Sequence, residues 1–257
     1  MRKAVLGGKA VEIYDSIDEL PIRRFHVYNK MLLIDAGIGS DLADFDRHFE
    51  KSIRLIQSKN PQMALVELRN MRTNVYFVQQ NLSPKYLAFA ALVKSIDGRP
   101  CEDITEDGLR GVLEKLGGAT TGEMTAESEA VKKKIDEELR TYFPRLFDDA
   151  SVKEYYDKLR GRTLAVLRTV ISGEATEEDR KEIERLTNAL ITYFNPRSFE
   201  GSDGAEVQYD RQFENMCLII SQNLHTDPKK MNVLEYYNAF DYVQEQARKA
   251  KSRKRAK

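Results

Sequence analysis

Apolar and polar positions alternate briefly at the start of the chain and then settle into helical spacing for most of its length. Val5 and Leu6 precede Gly7-Gly8, and Lys9 to Tyr14 follows with partial period-two alternation. Two consecutive glycines supply the positive φ angles of a two-residue turn, so the opening segment predicts a β-hairpin. An isolated hairpin is marginal in water and must pack on something else.

From Leu20 the period changes. Ile22, Phe25, Tyr28, Leu32 and Leu33 fall near one face of a helix that Pro21 can open and residues 35–40 close. Ser40 is placed to cap a second helix, with Leu42, Phe45, Phe49, Ile53 and Ile56 as its apolar stripe. Asn60-Pro61 opens a third, running to about Leu82, with Met63, Val66, Leu68, Met71, Val75 and Val78 facing inward. Ser83-Pro84 restarts the chain, and the nearly all-apolar run from Tyr86 to Ile96 predicts the most buried helix. Connections this short favour antiparallel neighbours in a bundle.

Residues 97–124 break the rhythm. Asp97-Gly98-Arg99-Pro100 reads as a turn, Thr105 as the cap of a short helix to Leu116, and Gly117 to Gly122 as a linker. Four parts follow: a hairpin and helical bundle over 1–116, a linker over 117–124, a helical region over 125–246 and a tail over 247–257. In the second helical region, Pro144 interrupts a charged helix that begins at Thr125, and Ser172-Gly173 stops the next. Thr176 caps a further helix, which ends before Asn195-Pro196 because the residue preceding proline disfavours helix. Helix resumes over 207–224, and Asn232 with Glu235 three residues on marks the start of the last one. No fixed period suggests a solenoid. The expected class is mainly α, a multi-helix bundle with a small N-terminal β-hairpin.

Composition supports this picture. Apolar residues form 41% of the 257, enough for a sizeable core, and the 32% that are charged suit amphipathic helices with solvated outer faces. Cys101 and Cys217 provide no disulfide framework and no all-cysteine metal site. No apolar run approaches the ~20 residues of a membrane span, and the stretch after Met1-Arg2-Lys3 is too short for a signal peptide. Cytoplasmic residence without a membrane partner is the expectation. Charge is unevenly placed: residues 247–257 carry seven basic residues and no acid, leaving 34 basic against 41 acidic residues, a net of −7, in the rest.

Chemistry is sparse. His26, His48 and His225 are scattered, and none belongs to a His-Glu-x-x-His helix. Asp41, Asp44, Asp46, His48 and Glu50 come nearest to a site; Asp44 and His48 share a helix face, but a metal would need ligands from another helix. A solvated face is the favoured reading, with an enzyme built on a noncontiguous carboxylate and histidine site as an alternative. Gly37 and Gly39 resemble a phosphate-binding turn only superficially, because a helix precedes them; a helix C-cap and N-cap in series explains them. No Gly-x-Ser-x-Gly elbow is present. No catalytic, cofactor-binding or metal residue is assigned, and no cofactor is expected.

Two features suit binding. Tyr236, Tyr237 and Phe240 share a helix arc and read as core or as a protein interface. Arg248, Lys249, Lys251, Arg253, Lys254, Arg255 and Lys257 could engage phosphates, and a nucleic-acid-associated accessory protein is the corresponding alternative. The tail holds no aromatic for base stacking.

LPIRRFHVYNKMLLIDAGIGSDLADFD at 20–46 and DPKKMNVLEYYNAFDYVQEQ at 227–246 resemble helical virion-assembly proteins of tailed bacteriophages, including those of gut Bacteroidetes. The second segment is also similar to the closing helix of tail-assembly-chaperone-like proteins, through Val-Leu-Glu-Tyr-Tyr and the aromatics that follow. The resemblance covers under a fifth of the chain and includes no catalytic signature. It implies a non-enzymatic morphogenesis or connector role in the host cytoplasm or the virion, with phage structural proteins or further copies of the chain as partners.

Overall fold

The computed structural model describes residues 1–147, 150–173, 176–193 and 195–255; the side chains of residues 147, 150–153, 191–192 and 250–255 are outside that description. The chain is mainly α-helical with a small antiparallel sheet near its N-terminus, as the periodicity predicts. In chain order the strands are β1 (Arg2–Leu6), β2 (Lys9–Ile13), β3 (Val93–Ile96) and β4 (Arg99–Pro100). The first helices are α1 (Ile22–Ile38), α2 (Leu42–Gln57), α3 (Pro61–Gln79), α4 (Pro84–Leu92), α5 (Glu106–Lys115) and α6 (Thr121–Tyr142). They are followed by α7 (Pro144–Phe147), α8 (Ala150–Ser172), α9 (Glu177–Tyr193), α10 (Ala205–Leu224) and α11 (Val233–Arg255).

Two compact units are assembled from separated stretches. Unit 1 takes 1–36, 82–144 and 200–257, and unit 2 takes 37–81 and 145–199. The division expected at 117–124 matches neither unit, since that stretch lies inside unit 1. Its glycines pack instead of linking: Gly7 lies so close to Gly118 and Ala119 that a Cβ there would strike their backbone. Thr120 then starts α6 through a capping box with Glu123, a Thr-x-x-Glu signal that the preceding glycines obscure.

In unit 1 the four strands pair in the order β1-β2-β3-β4. Gly7 and Gly8 have φ of +55° and +77°, and Asp97 and Gly98 have +49° and +75°, so both hairpins turn through two positive-φ residues. The second hairpin corrects the single helix expected over 86–96. That run is helix only through Leu92 and then strand, because an apolar run is equally compatible with either and Asp97-Gly98 selects a hairpin. Leu87 to Val93 are almost completely buried.

Arg24 of α1 sits at this helix-to-strand change and is itself buried. Its Nη1 donates to the carbonyls of Ala91 at 3.0 Å and Val93 at 3.1 Å, and its Nη2 donates to the Cys101 carbonyl. Its guanidinium carbon lies 5.6 Å from the centre of the Tyr14 ring. Farther along, Ile22 N donates to Met231 O at 3.0 Å, Val233 N to Leu20 O at 2.9 Å and Leu234 N to Ile17 O at 2.9 Å. These bonds join the starts of α1 and α11. Cap signals hold elsewhere: Thr105 accepts from Gly108 N at 3.2 Å, Thr176 from Asp179 N at 3.1 Å and Asn232 from Glu235 N at 2.8 Å. The second helix is capped by Asp41, which accepts from Asp44 N at 2.8 Å, one residue beyond the expected Ser40.

Two stability outcomes follow. Arg24→Leu leaves three inward-facing carbonyls without their donor and should cost about 3 kcal/mol or more in urea unfolding; a loss below 1 kcal/mol would show that these carbonyls find other donors. Gly7→Ala should lower the thermal midpoint well below that of Gly8→Ala. Both positions have positive φ, but only Gly7 faces backbone, while a Cβ at Gly8 meets open space.

Candidate interaction surfaces

The aromatic residues singled out at the start of α11 belong to an aromatic cluster in unit 1. Tyr236 is only 6% exposed, whereas Tyr237 and Phe240 are half-buried. With Phe25, His26, Tyr209 and Phe213 they line a cavity of about 190 Å³. The His26 ring stacks on Tyr209 and Phe213, with centroid separations of 4.7 and 4.1 Å, and its Nε2 lies 2.7 Å from Asp210 Oδ1. Burial holds the His26 pKa below its usual value against the pull of Asp210, so the ring is neutral near pH 7. Burial raises the tyrosines: Tyr237 is pushed up to about 12, and Tyr209 and Tyr236 are shifted further upward. The cluster is a packed clamp between α1, α10 and α11. Tyr236 has too little exposed surface to serve as a docking anchor.

Unit 2 distributes its residues differently. On α2 the stripe expected to face inward is exposed: Leu42 at 69%, with Phe49, Ile53 and Ile56 also exposed and Phe45 half-buried. Leu65, Leu68, Val75 and Tyr76 of α3 are exposed as well, so Leu68 and Val75 correct the inward expectation, while Met71 is buried as expected. On α8, Leu164, Leu167 and Ile171 repeat at i, i+3 and i+7, and Ile171 is 84% exposed. Most of the large apolar residues exposed among the described residues lie in unit 2. Scattered exposed leucines are ordinary, but stripes aligned along a helix are not scattered.

Polar groups occupy the place the stripes vacate. Glu67, 1% exposed, accepts on one oxygen at 2.7 Å from His48 Nδ1 and forms an ion pair with Lys51 through the other. Asn70 donates to the Arg197 carbonyl at 3.0 Å, and neither amide atom of the fully buried Asn74 has a hydrogen-bond partner among the described residues. Burial alone would raise the Glu67 carboxyl; the bonds from His48 and Lys51 outweigh it and hold the pKa below the ordinary value. The Asp44–His48 pair weighed from the sequence is thus separated. Asp44 accepts from Ser40 N at 3.0 Å and pairs with Arg47, while His48 turns to Glu67 on the neighbouring helix. Among the described residues no group of three or more His, Cys, Asp or Glu is placed to hold a metal ion. Gly39 follows α1 with a φ of +81°, which fits a helix C-cap.

The basic tail extends α11 as helix through Arg255. Alanine, lysine and arginine are strong helix formers, and cations near a C-terminus suit the helix dipole. Arg248 donates to Gln244 at 3.4 Å and Lys249 pairs with Glu245 at 2.7 Å. The side chains of Lys251, Arg253, Lys254 and Arg255, and Lys257 entirely, lie outside the described residues. No helix among the described residues is long and apolar enough to cross a membrane.

Sequence reasoning identified the α2 stripe but assigned it inward, and it missed Glu67 and the α8 stripe. The available signal was the polar set Glu67, Asn70 and Asn74 at i, i+3 and i+7 on α3. Because the folded Glu67 pKa is lowered, its contribution to stability is present above the unfolded value near 4.5 and is lost as pH falls through the folded value. Acid titration of unfolding free energy should therefore fall less steeply below pH 4.5 for Glu67→Gln than for the parent; equal slopes would contradict the ion-pair assignment. No family model, curated protein or solved structure matches the chain.

Proposed function

We propose that this chain is a non-enzymatic, helical protein-interaction protein that acts by docking unit 2 onto other proteins, in the assembly or architecture of a tailed-bacteriophage virion. The observation that carries the docking reading is the outward orientation of the apolar stripes on α2, α3 and α8, while polar groups are buried where α2 meets α3. Burying a large aliphatic or aromatic side chain contributes about 1.5–3 kcal/mol, so leaving stripes of them in water is costly unless another surface covers them. The virion setting rests on the resemblance of residues 20–46 and 227–246, and those segments supply the first turns joined between α1 and α11. The seven basic residues of 247–257 suit an accessory contact with an acidic partner.

Phe49→Asp and Leu164→Asp each change an exposed side chain, so both variants should retain the helical circular-dichroism signal. Each should weaken capture of the protein cross-linked to the parent chain in its native cell by about thirtyfold, the effect of losing an interface hot spot. Tyr236→Ala should instead lower the thermal midpoint. Undiminished capture by both unit 2 variants would refute the docking assignment.

A further inference from the structure

The hairpin of α2 and α3 carries enough geometry to name one occupant of its apolar face. His48, Lys51 and Ser52 on α2 meet Glu67 and Met71 on α3, which fixes the line along which the helices touch. At ~100° per residue, Leu42, Phe49, Ile53 and Ile56 lie about 110° around α2 from that line. Leu65, Leu68 and Val75 lie roughly 100° around α3, in the same rotational sense. Only Ser58 to Asn60 connect the two helices, which run antiparallel. An equal sense of rotation on antiparallel helices brings both stripes out on one side, giving a continuous apolar face two helices wide.

Its long edges carry opposite charge. Asp46 and Glu50 border the stripe of α2; on α3, Arg69 borders the stripe and Arg72 lies within it, between Leu65 and Leu68. Asp46 and Arg72 are exposed, and neither has an ion partner among the described residues. Lys51 and Glu67 stand level with each other. Five residues back along α2 is Asp46 and five residues on along α3 is Arg72, so these two also stand level, on the two helices of the face.

We propose that this face is a homodimer interface, in which two α2–α3 hairpins close face to face about a two-fold axis parallel to the helices. That axis places each α2 over the α3 of a second copy and preserves level along the helices. Asp46 of one copy therefore meets Arg72 of the other, twice per dimer. An isologous contact requires such self-complementarity, and the acidic-edge, basic-edge arrangement provides it. The 16 residues of α2 span ~24 Å, and two helices are about 20 Å wide, so the contact would bury roughly 1,000 Å² in total. That is at the lower end for a specific interface, the size class of weak association. The proposal rests on the docking reading of unit 2, whose partner it identifies as a second copy.

Sedimentation velocity of the full chain between about 1 and 100 µM tests it. The parent should shift from monomer to dimer across that range, and Phe49→Asp should remain monomeric. Asp46→Arg and Arg72→Asp should each weaken dimerisation about tenfold, and the double reversal should recover to within about threefold of the parent, since it restores opposite charges across the axis. Circular dichroism of each variant confirms folding. A parent that stays monomeric at 100 µM, or a double variant as weak as the singles, overturns the dimer. If the parent is monomeric but Phe49→Asp still loses its cross-linked partner, the dimer falls while docking of unit 2 stands; if neither property changes, both fall.

Discussion

The buried guanidinium of Arg24 holds together the part of the molecule that has an ordinary core. Where α4 becomes β3, the backbone changes from one hydrogen-bonding pattern to another, and the carbonyls of Ala91 and Val93 both accept from Arg24 of α1. A buried carbonyl without a donor costs about 1–3 kcal/mol, and three converge here once Cys101 is included. Arginine suits the position because a planar fork of five donors can serve several acceptors and still stack near the Tyr14 ring. Its positive charge is retained despite burial that lowers its pKa. This single side chain ties residues 22–38 to residues 84–101. The backbone bonds from Ile17, Leu20 and Ile22 tie the same start of α1 to residues 231–234. Three stretches distant in sequence thus become one unit, and the chain can depart from it twice without dividing its core.

Unit 2 is organised on the opposite principle. The contact of α2 with α3 places a carboxylate, an imidazole and an ammonium where leucine or isoleucine would ordinarily sit. Charges taken from water recover through mutual attraction only about what burial costs them, so Glu67, His48 and Lys51 determine which residues face each other more than they add net stability. The unpaired amide of Asn74 beside this network adds a further cost. With polar groups at the seam, the apolar stripes can stand outside it. The same residues that would make an independently stable bundle are displayed on the surface.

Sequence spacing located the helices of both units but not which way the stripes of the second unit face. Gly7-Gly8, Thr105, Thr176, Pro84 and the Asn232–Glu235 pair each have a local physical role, and each marks an element that forms where it should. The change at Leu92 was not visible, because Val93 and Ile96 continue the apolar run across it; the turn at Asp97-Gly98 was the discriminating signal. Periodicity also grouped Leu42, Phe49, Ile53 and Ile56 correctly on one face. A period reports which residues share a face and contains no information about whether that face looks inward. Its direction was set by Glu67 and His48, nineteen residues apart on different helices, and no local pattern records their meeting. The aromatic arc at Tyr236 illustrates the converse case, since residues suited to an interface are enclosed once α1 and α10 pack against them.

The two principles together make binding and order in unit 2 parts of one equilibrium. A unit whose seam is polar and whose apolar residues face water draws less of its stability from its own interior than unit 1 does. Any partner that covers the stripes binds the folded form and not the unfolded one, so its binding free energy adds directly to the stability of the unit. Partner concentration would then control how firmly α2, α3, α8 and α9 hold their arrangement, without any change in unit 1. A fully apolar seam would leave this linkage in place but make the unit less reliant on it, because more of its stability would come from its own interior. On the docking reading, the polar seam does more than fix register: it makes the stability of unit 2 more sensitive to a partner that covers its stripes.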